Sequence, residues 1–586
     1  MVTPLMAVMG YSRPLNETAT AITDPLSADK TGAPQAHGPD THQDLLALAN
    51  KTLLASQALI AEIELLLREL STRSKKLAST GVPMFLRSLQ ASHALARQAL
   101  DDLSPSSPSS SSLLPDEASL LKAHRKVDTS AVDVSRAATH WAILKRCSSL
   151  VAIHQAFQGS AKTTRGEEIS RMPSMSPRQR ELMHRTLKQQ AKVEVHVVAS
   201  GSEWLHVRTL QTDRLARQMS DAGWNWGQHD SESDELPGKE VVLDEDEWAD
   251  VPLAKQVRRL IAAAKLHRHE YRIPRLRIVL PNIGDENPDI NLFLGLLSRM
   301  DPAVHVTVEV QTGEFLSRGP PAAVEDAIRN LVGCPLEGLT ETLNLDHSIL
   351  VALASDMTHL RVVSERGYSA ATRAQIEEEA RHEGGSMAKV LYPILQGRKL
   401  VCTPEAAEHF HHVLRLVGTA SECERGELLV PLPLLGSQAQ MSPCNGGREA
   451  FRARFRELSV HEMPSAVDLP ITVMAECWRP NSLQEDVDEG ALPGVALDVV
   501  RHCGFSAAKL SVFMYGWRSG NVTLSCNREV KAQFRTLVEM YRRGEDDYGP
   551  LIWGVDVARN LLGRGAGEAF LAQTDISQTG VCDADE

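Results

Sequence analysis

From residue 43 to about 72 the apolar positions keep a helical rhythm. Leu46, Leu53, Ile60 and Leu67 recur every seven residues, and Ile63 and Leu70 follow the last two by three, so one face of a single helix is apolar. GVP at 81–83 breaks the pattern and MFLRSLQASHALARQAL resumes it, which predicts an αα-hairpin. A third helix is expected over about 131–157, beyond the run SPSSPSSSS at 104–112, a Ser/Pro linker with nothing to bury. Residues 1–42 and 576–586 lack periodicity and are expected to be disordered, which leaves a helical region at 43–160.

At 193 the rhythm changes to period two. VEVHVVA, a small turn at Ser200–Ser202 and EWLHVRTL read as a hairpin-like pair of strands. Strand LRIVLP (276–281), a helix near 289–299, strand VHVTVEV (304–310) and a helix near 320–332 then alternate, which predicts a middle α/β domain at 191–335. A second α/β block follows at 338–575. Its strands are expected at ETLNLD (341–346), RKLVC (398–402), ELLVPL (427–432), KLSVFMY (509–515), NVTLSC (521–526) and PLIWGV (550–555), with helices at 404–417 and 527–542. Such alternation predicts a mostly parallel sheet with helices on both faces, a three-layer α/β fold.

Composition narrows the function class. The chain has 586 residues and a net charge of −13, with 42% apolar and 23% charged residues, so it buries ordinary cores and does not coat nucleic acid through its overall charge. No apolar run approaches the roughly 18–20 residues of a membrane span, and no membrane association is expected. Nine cysteines are scattered without a Cys-x-x-Cys pair, which argues for a reducing compartment, cytoplasm or nucleus, and against a zinc ribbon. Charge is nevertheless patterned. Residues 228–250 hold ten Asp or Glu against Lys239 alone, a solvated acidic insertion. Immediately after it, eight bases between Lys255 and Arg277 face only Glu270, and Arg258, Arg259, Lys265, Arg268, Arg272, Arg275 and Arg277 are the candidate nucleic-acid contacts. The solvated insertion is the expectation, and the alternative is a loop that, so close in sequence, folds back and masks those bases.

In a parallel α/β sheet, ligands bind outside the carboxyl ends of the strands. Asp346 ends ETLNLD, Thr403 to Glu405 follow RKLVC, and Asn527 follows NVTLSC. Asp346, Glu405 and Asn527 are therefore the catalytic candidates, with Asp346 and Glu405 the candidate ligands for Mg²⁺ or Mn²⁺. The competing reading is that Asp346 and Asn527 cap helices. His409, His411 and His412 lack the spacing of an H-E-x-x-H site and read as a solvated helix face, and GRGAG at 563–567 reads as a helix C-cap.

VEVHVVASGSEWLHVRTLQTDRLA, ETLNLDHSILVALASD, LYPILQGRKLVCTPEAAEHFHHVLRLVGTASECERGELLVP and IWGVDVARNLLG together resemble the eukaryotic family built on domain of unknown function 1308. That resemblance spans about 190–575 and implies a C-terminal domain similar to the PIN-like nuclease fold, in which several acids surround one or two divalent metals. Asp346 matches the first acid. Glu405 lies one position beyond the expected second, Gly516-Trp517 stands where similar chains carry Gly-Asp, and Asn527 is an amide at the fourth. The expectation is a degenerate PIN-like domain that binds RNA or a protein partner. The alternatives are a Mg²⁺- or Mn²⁺-dependent ribonuclease and a helical scaffold working through its N-terminal hairpin.

Overall fold

The computed structural model describes residues 39–73, 80–104, 117–171, 176–227, 248–334, 336–364, 367–381, 385–431, 447–475, 478–556 and 558–563. The expectations for residues 1–38, nearly all of the Ser/Pro linker, residues 228–247 of the acidic insertion and the tail at 576–586 lie outside these residues. Two compact units divide the chain, one of residues 1–58 with 89–135 and one of 59–88 with 136–586.

In the first unit Ala49, Ala99, Leu103, Ala123 and Val127 make a small core, and Lys126 pairs with Asp102 at 2.7 Å. The helices run Pro39–Arg73, Val82–Leu103 and Glu117–Leu144. On the first of them the fully buried positions are Ala49, Thr52, Ser56, Ile63, Leu66 and Leu70, while the heptad residues Leu46, Leu53, Ile60 and Leu67 are half-buried beside them. Small residues take the centre of the stripe because their hydroxyls are satisfied within the helix, Thr52 Oγ1 on Leu48 O at 2.7 Å and Ser56 Oγ on Leu53 O at 2.9 Å. The third helix stops at Leu144, and the expected helix over 145–157 is replaced by a strand. LVAIHQAFQ carries β-branched and aromatic residues after a break at Ser149, whose φ of 48° no continuing helix permits.

The second unit holds two five-stranded sheets. In the first, β1 (Leu150–Gln158), β2 (Lys192–Ala199), β3 (Glu203–Val207), β4 (Arg275–Leu280) and β5 (Val306–Val310) lie in sequence order. β1/β2 and β2/β3 are antiparallel, whereas β3/β4 and β4/β5 are parallel. The second sheet contains β6 (Thr342–Leu345), β7 (Lys399–Cys402), β8 (Thr472–Val473), β9 (Val522–Ser525) and β10 (Ile552–Gly554) in the order β10-β9-β6-β7-β8, all parallel. Crossovers leave β6 outward to β7 and β8, then return to its other side for β9 and β10. Right-handed connections therefore place helices on both faces.

One expected strand of this block is a helix, and another begins inside one. KLSVFMY lies in the helix Ala507–Ser519, where Leu510 to Met514, Gly516 and Trp517 are all buried, so its sequence has no polar face to reveal a helical period. Ser506 caps its start, and Gly520 at φ 66° ends it. ELLVPL begins in the last turn of Ala420–Leu429, a helix opened by the Thr419–Glu422 capping box.

The basic strap before β4 is built into the interface between the two sheets' layers. Arg268 pairs with Glu545 at 2.6 Å and Glu539 at 3.4 Å, Lys531 with Glu270 at 3.0 Å, and Arg542 donates to Tyr271 O at 2.8 Å. Tyr271 enters the second sheet's apolar core, and a Cβ on Gly549 would stand 2.3 Å from its ring. Among the described residues no helix is long and apolar enough to cross a membrane.

Candidate functional site

Because β6, β7 and β9 are parallel neighbours, the residues just beyond them share one edge, which carries Asp346, Glu405 and Asn527. The order of connection reverses beside β6, so the crevice between β6 and β9 is the topological switch point, where open α/β sheets take their ligands. Asp346 and the segment Ser525–Asn527 flank it.

Asp346 is 2% exposed, and both its oxygens are engaged by the chain itself. Oδ1 lies 2.7 Å from His347 Nδ1, while Oδ2 accepts from Ser348 Oγ at 2.8 Å and Ser525 Oγ at 2.7 Å. The two hydroxyls carry the network onward, Ser348 Oγ accepting from Cys526 N at 3.1 Å and Ser525 Oγ from Asn527 N at 3.0 Å. The carboxylate thus bolts the end of β6 to the end of β9. It occupies the N-cap position of the helix His347–Ala354 without capping it through its side chain. Asn527 does cap its helix, Arg528–Tyr541, by accepting from Glu529 N at 3.1 Å. Thr403 caps Pro404–Val417, and Glu405 in that helix accepts from Ser511 Oγ at 2.7 Å.

Burial pushes the Asp346 carboxyl up, but the hydrogen bond and charge of His347 together with Ser525 and Ser348 outweigh it and leave it below the usual range. The same bond to Asp346 raises His347 against the opposing effects of burial and of Lys509. His409 packs edge-on against His347 with ring centroids 5.0 Å apart. Burial, then Asp346, pushes the Cys526 thiol up to about 11, which disfavours the thiolate.

These residues are a thin ligand set for Mg²⁺ or Mn²⁺. Each cation needs several oxygen ligands, and here both Asp346 oxygens are engaged by the chain with one lone pair of Oδ1 left over, one oxygen of Glu405 accepts from Ser511 and the Asn527 carbonyl caps its helix. The position read against a third acid, Trp517, lies 3% exposed in the core and edge-on to Phe534. Its neighbour Gly516 packs so closely that a Cβ would meet Thr523 Oγ1 at 2.1 Å. Among the described residues no three His, Cys, Asp or Glu donors converge at this edge.

Of the basic candidates, Arg259 donates to Gln190 O and Lys192 O, Lys265 pairs with Asp301 at 2.6 Å, Arg268 is in the interface strap, and Arg277 bridges Glu203 and Glu309. Arg258, Arg272 and Arg275 are exposed. The strap grips the helix Arg528–Tyr541 from Lys531 to Glu539 and on to Arg542, one turn or more beyond the Asn527 end that faces the crevice. What the sequence reading missed at the edge is His347, Ser348, Ser525 and Lys509; the only signal for the serines is their place two residues after Asp346 and two before Asn527. No family model matches the chain, and no curated protein and no solved structure matches it.

Proposed function

We propose that the protein binds RNA at the carboxyl edge of its second sheet without cleaving it, the C-terminal block being a PIN-like domain whose acid cluster has become a structural bolt. The observation that carries this reading is the engagement of both Asp346 oxygens by His347, Ser348 and Ser525. A metal-dependent nuclease needs several converging carboxylates, and among the described residues no three donors converge at this edge. Its remaining chemistry suits a phosphate. The helices His347–Ala354, Pro404–Val417 and Arg528–Tyr541 direct their N-termini to it, Lys509 adds positive charge beside them, and Arg528, paired with Asp556 at 2.7 Å, adds a cation that a phosphate would have to share.

Binding of a labelled single-stranded RNA, followed by anisotropy in EDTA, tests the proposal. Lys509→Glu with Arg528→Glu should weaken binding at least tenfold at low salt, because each lost phosphate contact also removes about 0.7 from the slope of log affinity against log salt. Equal affinity in wild type and the charge-reversed variant would sink the RNA reading and leave a protein partner.

A further inference from the structure

We propose that His154, Glu194 and His196 form a binding site for a divalent transition-metal ion of the zinc class. The site lies on β1 and β2 of the first sheet and is independent of the Asp346 edge. Ile153 pairs with Val197 and Gln155 with Val195, which sets His154 opposite His196. The three side chains each offer a donor atom within 4.8 Å of the others, and His154 Nδ1 already lies 2.6 Å from Glu194 Oε1. Two further imidazoles crowd the group. The His140 ring is centred 5.1 Å from His196 and 5.6 Å from His154, and His206 is 4.5 Å from His196. Phe85, Leu144, Ile153, Val197 and Val207 wall the adjoining small cavity, while His154 and Glu194 are exposed to solvent and His196 is half-buried.

Two features exceed what packing alone requires. His154 stands at φ 51°, a left-handed conformation that a residue with a Cβ rarely adopts and that concentrates at ligand sites. His206 is 4% exposed, and its Nδ1 lies 3.2 Å from Glu194 O. A carbonyl can only accept, so Nδ1 carries the proton and Nε2 bears a lone pair, buried and without a partner. An imidazole whose Nδ1–H is anchored on a backbone carbonyl, with Nε2 free, has the tautomer of a metal ligand.

The donor set selects the ion. Imidazole nitrogens with one carboxylate and no thiolate suit zinc and its first-row neighbours rather than Ca²⁺ or Mg²⁺, and three ligands leave a fourth position for water or for one of the two extra rings. His196 Nδ1 accepts from Val207 N at 2.9 Å. Ligation by His196 therefore gives up that bond by either route, since the metal takes the Nδ1 lone pair or, for ligation through Nε2, the proton moves to Nδ1.

The test is titration of the tag-free, chelator-treated full chain with Zn²⁺ alone, by calorimetry, alongside His154→Asn and Glu194→Gln. Asn tolerates the left-handed backbone and Gln keeps the shape of Glu, so both variants should retain the wild-type circular dichroism. Wild type should take up one equivalent that each variant binds at least about 100-fold more weakly. Zn²⁺ should also raise the thermal midpoint of wild type and not that of the variants. Uptake that is absent in wild type, or of equal stoichiometry and affinity in all three proteins, overturns the site. Should His154→Asn lose its fold, Glu194→Gln alone decides.

Discussion

Arg425→Met should lower the stability of the second sheet's layer by about 3–5 kcal/mol, the cost of leaving one member of a buried ion pair without its partner. Arg425 is 0% exposed. Its guanidinium donates to Ala354 O, to Leu458 O at 2.9 Å and to Asp356 Oδ1 at 3.1 Å, tying together the end of one helix, the chain after Phe455 and a carboxylate only 3% exposed. Asp356 also accepts from Thr419 Oγ1 at 2.6 Å and Ser421 Oγ at 2.8 Å, so it stays buried and held in place when the cation goes. Methionine fills much of the space and returns none of the three acceptors their donor. Urea denaturation followed by tryptophan fluorescence reads the shift; an unchanged midpoint would mean that Asp356 is satisfied by its two hydroxyls alone.

The second large effect concerns Asp346. Asp346→Ala should destabilise the protein by about 2–4 kcal/mol: three hydrogen bonds to a charged acceptor contribute roughly 1.5–3 kcal/mol each, and relief from burying the charge returns part of that. Asp346→Asn keeps two acceptor lone pairs and should cost less. The sign discriminates between roles. A carboxylate held for catalysis is strained by its site, so neutralising it tends to stabilise, whereas a bolt between β6 and β9 only weakens when cut. A gain in midpoint for either variant would count against the structural role.

How far the sequence carries depends on whether a feature is written locally. The helix Pro404–Val417 is legible because Thr403 and Pro404 mark its start and its apolar positions keep one face. Asp346 and Asn527 are legible as strand-end residues. The meaning of Asp346 is not, because one of the serines that engage it, Ser525, lies 179 positions away. KLSVFMY misleads for a different reason: a helix buried all round loses the polar stripe that distinguishes it from a buried strand. The histidine cluster is hidden twice over. His196 and His206 fall in strands that the alternation predicts, but His154 lies in a stretch expected to continue a helix. Only the existence of β1 brings it opposite His196, and no short motif of the Cys-x-x-Cys or H-E-x-x-H kind announces it. The basic run misleads through composition, since Arg268 is consumed by Glu539 and Glu545 in an internal interface, as charge counting along the chain cannot show.

The central claim, that the Asp346 edge binds without hydrolysing, is tested most directly by incubating the full chain with end-labelled single-stranded and structured RNA in Mg²⁺ and in Mn²⁺. Asp346→Asn, confirmed to be folded, is run in parallel. The account predicts the same absence of turnover in both proteins. Turnover by the wild type that Asp346→Asn abolishes would contradict it, and would make Asp346 a catalytic carboxylate despite the three donors that engage it.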